Sequence, residues 1–204
     1  THGGCRLKRP AVFLDRDGTI NEQMGYINHP SRFLLLPGAA RAIRLLNEAG
    51  FLAIVVSNQS GVARGYFPVD LVHEVHDLMQ RGLAEQGARV DGVFFCPHHP
   101  GGKVEEYAVT CTCRKPGPGL VRRAETRFDI DMSRSYVVGD RFSDVELAAG
   151  CGLKSVLVET GYGRGDRQYV LPGRDVQPDH VAPDLEAAVR WILEREGAGD
   201  DPGL

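Results

Sequence analysis

Five short apolar runs, each bounded by small or polar residues, constrain this 204-residue chain more tightly than anything else in it. They lie at 11–14 (AVFL), 51–56 (FLAIVV), 93–95 (VFF), 135–138 (SYVV) and 155–158 (SVLV). Unbroken apolar runs of this length suit strands buried on both faces rather than strands with one wet side. Longer stretches with helical period stand between them. Residues 38–49 put Ala42, Leu45, Leu46 and Ala49 on one face, with Gly50 as a stop. Residues 69–85 repeat the pattern with Val72, Val75, Leu78, Met79 and Leu83. Residues 118–128, 143–149 and 185–194 read as three further helices, the second with Ser143 as N-cap. Strand–helix alternation of this kind predicts an α/β fold: a doubly wound, mainly parallel sheet with helices on both faces. A single domain over 1–204 is expected, with a loop insertion at 96–113. Residues 160–184 read as loop and 197–204 as a frayed tail.

Composition narrows what such a sheet can serve. Net charge is 24 − 27 = −3, which argues against nucleic-acid binding through bulk positive charge. No apolar run approaches the ~18–20 residues a membrane span needs. The opening THGGCRLKRP lacks the apolar core of a signal peptide. Five cysteines, three of them within 96–113, do not make a disulfide framework, so a cytosolic setting is expected.

Ligands of open parallel sheets bind at the carboxyl ends of the strands, so the residues just after each run matter most. The first run ends in Asp15-Arg16-Asp17-Gly18-Thr19 and the second in Ser57-Asn58-Gln59-Ser60-Gly61. The fourth ends in Gly139-Asp140-Arg141, with Asp144 a turn later, and the third leads into a loop that closes on Arg114-Lys115-Pro116. Carboxylates, a hydroxyl and a lysine thus converge on one edge. Asp15, Asp17 and Asp140 would repel one another unless a divalent cation sat between them. Magnesium takes few carboxylates and leaves room for a phosphate oxygen. A carboxylate can attack phosphorus to form an aspartyl-phosphate, splitting one hard step into two. Positioning and charge neutralisation do the rest. Ser57 and Lys115 are the residue types that hold phosphoryl oxygens, and backbone N–H groups after Asp15 and Ser57 add an anion nest.

D-x-D-G-T after the first run, Ser-Asn after the second, Lys115, and G-D-x-x-x-D after the fourth resemble the haloacid dehalogenase phosphatases over residues 11–158. The resemblance implies Asp15 as nucleophile and Asp17 as general acid, then general base. It implies Ser57 and Lys115 as phosphate holders. Magnesium would be held by Asp15, Asp140 and the backbone carbonyl of Asp17, with Asp144 supporting that shell.

A second signal is Cys96-Pro97-His98 followed, after twelve intervening residues, by Cys111-Thr112-Cys113. Three thiolates and one imidazole complete a tetrahedral zinc set with no place for water, which makes the ion structural. His99 competes with His98 for this role. Reduced cysteines in a metal-free loop are the other reading, one that leaves clustered thiols open to oxidation. Cys5 and Cys151 stand apart.

Taken together, DRDGTIN, SNQSGVARG, CPHH followed by GKVEEY, and CTCRKPGPG resemble a zinc-loop branch of that family acting on sugar bisphosphates of the bacterial heptose pathway. A sister branch, the histidinol-phosphate phosphatases, shares DRDGT and the zinc set on a shorter loop. The resemblance implies substrate contacts from Gln23, Met24, Gly25, Tyr26, Asn58, Gln59, Ser60, Arg114 and Arg141. Ser57 stands where threonine is commoner, and Arg141 where lysine is common. Arg114 and Arg141 are left over once one phosphoryl group is held, which points to a second anionic group on the substrate. The plainer alternative pairs both arginines with Asp144 or with neighbours of Asp17. A zinc-loop binding module with unused catalytic residues is the reading from another class. The expected partner is a small-molecule sugar bisphosphate, with no nucleic acid, no membrane and a monomeric chain. His73 and His76 read as polar residues on a helix surface, and Asn58-Gln59-Ser60 as a chance glycosylation match.

Overall fold

The computed structural model describes residues 7–197. Cys5 and 198–204 of the expected tail lie outside the described residues. The chain runs β1 (Ala11–Leu14), α1 (Ala39–Glu48), β2 (Leu52–Asn58), α2 (Val69–Ala84), β3 (Gly92–Cys96), α3 (Gly119–Arg127), β4 (Tyr136–Gly139), α4 (Phe142–Cys151) and β5 (Lys154–Val158). A single α-helical turn, α5 (Gly163–Gly165), then passes into a π-helical stretch at Asp166–Val170, before β6 (His180–Ala182) and α6 (Leu185–Arg195).

The six strands form one sheet in the order β3-β2-β1-β4-β5-β6, every pair parallel. This is the doubly wound arrangement expected from the alternation. β1 is fully buried and its side chains alternate between two cores, as strand geometry requires. Val12 and Leu14 pack with Ile43 and Leu46 of α1, Met79 of α2 and Val189 of α6. Ala11 and Phe13 pack on the other face with Leu120 and Val121 of α3 and Leu147 of α4. The order reverses at β1, between β2 and β4, and such a switch leaves a crevice at the carboxyl ends of the central strands.

Three expectations are corrected. Residues 160–184 are not simply loop, for they hold α5, the π-helical stretch and β6. β6 has three residues, too few to show a period. Its ladder with β5 is extended by the Asp179 carboxylate, which accepts the Ser155 N–H at 2.8 Å. Ser143 is not the N-cap of α4; Arg141 is, with its N–H donated to the Asp144 carboxylate at 3.2 Å. His73 is exposed, but His76 is buried on the same face of α2 as Val72, Val75 and Met79. Its ring lies edge-on to Phe95 of β3 at 5.4 Å.

Candidate active site

The turn after β1 supplies the first carboxylates. The Asp15 N–H donates to Val138 O of β4 at 2.9 Å, which fixes the backbone at the switch point. Its carboxylate accepts the Arg16 N–H at 2.8 Å and lies 2.9 Å from Lys115 Nζ. Gly18 follows at φ +83°, and an added Cβ there would collide with the Asp140 carboxylate. A glycine is therefore required twice over, for conformation and for space.

Asp140, at the end of β4, and Asp144, in the first turn of α4, complete a cluster with Asp15 whose oxygens lie within 4.8 Å of one another. Asp140 accepts the Tyr162 N–H at 2.8 Å through Oδ2, while its buried Oδ1 has no partner. Burial, then the charges of Asp15 and Asp144, push its carboxyl up to about 9. Asp144 is raised to about 6 by burial and Asp15, against the opposing pull of Lys115. Lys115 Nζ touches Asp15, Asp144 (2.7 Å) and Val56 O (3.0 Å). Its buried ammonium would be driven neutral by desolvation, but Asp144 and Asp15 outweigh that and hold its pKa above the ordinary lysine value. Fully ionised, three carboxylates and one ammonium would leave two negative charges in a buried site; without a cation, burial and that repulsion favour a proton on Asp140. The cluster and its orphaned oxygen fit a divalent cation.

Asp17 faces elsewhere. Arg16 Nη2 donates to both of its oxygens at 2.9 Å, Asn21 Nδ2 to one at 2.9 Å, and Gln59 Nε2 to the other at 2.8 Å. Burial works to raise its pKa, but Arg16 and these hydrogen bonds prevail and hold it below the usual carboxylate range. The Asp17 carboxylate thus stands outside the cation cluster, and Asp144 is within it. Gln59 Nε2 also donates to Ser57 Oγ at 2.8 Å, so one amide ties the β2 hydroxyl to Asp17. Asn58 and Lys115 exchange side-chain–backbone hydrogen bonds of 2.9 and 3.2 Å, fastening the lysine's loop to β2.

The second cluster gathers Cys96, His98, Cys111 and Cys113, all four ligand atoms within 4.8 Å. Sulfur–sulfur distances are 3.1–3.5 Å, and His98 Nδ1 lies 3.3 Å from Cys113. A tetrahedron with metal–sulfur bonds of ~2.3 Å has edges only slightly longer, roughly 3.8 Å. Burial pushes the Cys96 and Cys113 thiols up, while at Cys111 burial is outweighed by hydrogen bonds from Cys113 and Cys96, which pull it down to about 6, so without a cation the set favours one thiolate rather than three. His98, not His99, turns inward, and the set fits a metal.

The carboxylate–lysine cluster, through Asp15, Lys115 and Asp140, borders an open cleft of about 410 Å³, while the cysteine–histidine set lies outside its lining. Of the sequence-predicted residues, Asp15, Asp17, Gln23, Gly25, Tyr26, Asn58, Gln59, Ser60, Arg114, Lys115, Asp140 and Arg141 line it. Ser57 is buried just behind it, and Met24 lines a separate, neighbouring groove with Arg32 and Tyr66. The Arg141 guanidinium lies 3.5 Å from Asp166 and 4.6 Å above the Tyr162 ring, so its partner is not Asp144. Arg114 reaches only His98 O, at 3.5 Å, and is not ion-paired among the described residues. Arg64, Ser143 and Tyr162 also line the cleft, and sequence reasoning passed over them. Arg64 sits inside the quoted SNQSGVARG run, where a cation four residues past the serine was its only signal.

A protein of Thermosynechococcus vestitus named D-glycero-D-manno-heptose-1,7-bisphosphate 7-phosphatase is 47% identical over 193 residues, covering 91% of this chain and 96% of its own. The chain belongs to the heptose-bisphosphate phosphatase branch of the haloacid dehalogenase-like family. The HAD-hydrolase-like family model matches residues 112–188. An Escherichia coli K12 protein named D-glycero-beta-D-manno-heptose-1,7-bisphosphate 7-phosphatase is 41% identical, covering 90% of this chain and 88% of its own. The crystal structure of D,D-heptose 1,7-bisphosphate phosphatase from B. bronchiseptica, complexed with magnesium and phosphate, superimposes with a TM-score of 0.79. It is 35% identical and covers 91% of this chain and 99% of its own. Membership of this branch makes the chain a phosphatase that hydrolyses phosphomonoesters. No described helix is long and apolar enough to cross a membrane.

Proposed function

We propose that this chain removes the 7-phosphate of D-glycero-D-manno-heptose 1,7-bisphosphate through an aspartyl-phosphate on Asp15. The observation that carries the reading is the shared cleft: a carboxylate–lysine cluster lies at the switch point, and two arginines, Arg114 and Arg141, line the same space. One transferring phosphoryl group already has Ser57, Lys115 and a cation. The arginine forks are suited to a second phosphate.

Asp15 and Asp140, with the backbone carbonyl of Asp17, would hold magnesium, and Asp144 supports that set from within the cluster. When bound, magnesium neutralises the phosphate and holds it toward Asp15. The Asp15 carboxylate attacks phosphorus, and the bond from phosphorus to the sugar oxygen breaks. Asp17, held ionised by Arg16, Asn21 and Gln59 before substrate binds, exchanges one of these donors for the leaving group, takes up a solvent proton and passes it to that oxygen. It then takes a proton from the water that attacks the phospho-aspartate, which frees phosphate and restores Asp15. The Ser57 oxygen accepts from Gln59, so its own proton is free to point at a phosphoryl oxygen.

The Cys96, His98, Cys111 and Cys113 set holds structural zinc in this reading, at a loop within one domain, and the enzyme works as a cytosolic monomer where thiols stay reduced. A phosphate-release panel tests the substrate: both heptose bisphosphate anomers, heptose 7-phosphate, histidinol phosphate and fructose 1,6-bisphosphate. A heptose bisphosphate should give the highest kcat/KM. Equal or faster turnover of histidinol phosphate would contradict the reading.

A further inference from the structure

Arg64 is a half-buried cation at the cleft with no ionic partner among the described residues. Its Nε is buried without any hydrogen-bond partner. Its one polar side-chain contact is Nη2 to Nε2 of His99, at 3.1 Å. That contact is a mismatch. His99 Nδ1 accepts the Gly101 N–H at 3.0 Å, so a neutral ring carries its proton on Nε2, and two N–H donors then face each other. The other tautomer only moves the conflict to Gly101. An anionic oxygen accepting from both groups would remove it.

The backbone holds Arg64 in this place. The Lys103 and Val104 N–H groups both donate to Ala63 O, at 2.7 and 2.9 Å, and a Cβ on Gly102 would collide with that carbonyl. The metal loop is thus docked directly against the residue before Arg64. Arg114, at the end of the same loop, lines the same cleft and is likewise not ion-paired among the described residues.

We propose that Arg64 is a specificity-determining residue whose guanidinium, with the His99 Nε2–H beside it, binds the substrate's second, non-reacting phosphate. The assignment rests on the bisphosphate reading above. It gives the loop a second task beyond carrying Lys115, because His99 on that loop meets the arginine on the β2 side.

The test compares kcat and KM of the wild-type holoenzyme, Arg64→Gln and Arg64→Lys on heptose 1,7-bisphosphate and heptose 7-phosphate. Arg64→Gln should lower the bisphosphate-to-monophosphate ratio of kcat/KM roughly ten- to a hundred-fold, mainly through KM, as expected for one charge-assisted contact. Arg64→Lys should recover part of the ratio, since charge returns without the planar fork. His99→Glu, checked for unchanged metal content, serves where Arg64→Gln fails to fold. It offers Arg64 a carboxylate and should lower the ratio in the same direction. A wild-type ratio surviving in Arg64→Gln or in His99→Glu would overturn the assignment. A ratio near one in the wild type itself would overturn the bisphosphate reading and this assignment with it.

Discussion

At the scale of single residues, the chemistry hangs on which oxygen faces which donor. Gln59 is the clearest case. Its amide nitrogen meets Asp17 and Ser57 at once, and the flipped amide would press an oxygen against a carboxylate. Gln59→Glu keeps the shape and makes that repulsion permanent. We expect kcat on the sugar phosphate to fall by about 10²-fold, the scale of lost acid–base help. Gln59→Leu, which only removes the tie, should fall less. Equal losses in the two variants, measured by steady-state phosphate release, would contradict the argument. Asp15, Asp17, Ser57, Lys115 and Asp140 were legible in the sequence because each closes an apolar run or a loop at the sheet's functional edge. The partition among the carboxylates was legible only through the family resemblance, which set the backbone carbonyl of Asp17 on the metal and Asp144 in the supporting shell. Sequence spacing places Asp15 and Asp17 together, but Arg16, Asn21 and Gln59 draw Asp17 out of the cation cluster and leave Asp144 inside it.

Elements add constraints that no single side chain carries. On α2, His76 shares the apolar stripe with Val72, Val75, Met79 and Leu83, a period the residue's polarity hides. Burial, then the charge of Arg16, pushes its pKa down to about 3, so the folded protein keeps it neutral. The unfolded chain binds that proton near pH 6.5, so stability falls as pH drops from about 6.5 toward 3. By pH 5 the linked loss is about 2 kcal/mol, before most carboxylates titrate. Denaturant unfolding of His76→Leu should lack this component between pH 6.5 and 5, and an unchanged pH slope would refute it. The metal loop makes a parallel demand on the site. Lys115 follows Cys113 by two residues, and the Gly119 N–H donates to Thr112 O at 2.8 Å, so ligands and lysine share one backbone. Elemental analysis should find about one zinc per chain, and chelation should raise hydrogen exchange over 96–113 and lower activity in a way that added magnesium does not restore. A metal-free protein with full activity would break that link. β6 marks the lower limit of what periodicity reports: three residues carry no alternation, and the strand is placed by its ladder with β5, which Asp179 extends by accepting the Ser155 N–H.

For the whole molecule, the alternation of runs was enough to expect a parallel sheet covered on both faces. Strand order was not written in it, since nothing local says that β4 rather than β3 lies beside β1. That adjacency brings Asp15 to Asp140 and leaves a crevice at their carboxyl ends. Charge has the same two-level character. The chain is net acidic at −3, yet its cleft sets Arg64, Arg114 and Arg141 around a carboxylate cluster. Overall charge argues against nucleic-acid binding through bulk positive charge, and it carries no sign of this local field. In the proposed reaction the carboxylate at the switch point forms a bond to phosphorus. Acid quenching of the enzyme during turnover of heptose 1,7-bisphosphate, followed by peptide mass spectrometry, tests it most directly. The expected product is a peptide containing Asp15 that is heavier by one phosphoryl group, absent from Asp15→Asn, which should also release no phosphate. Normal phosphate release by Asp15→Asn, or a phosphoryl adduct on another residue, would contradict it.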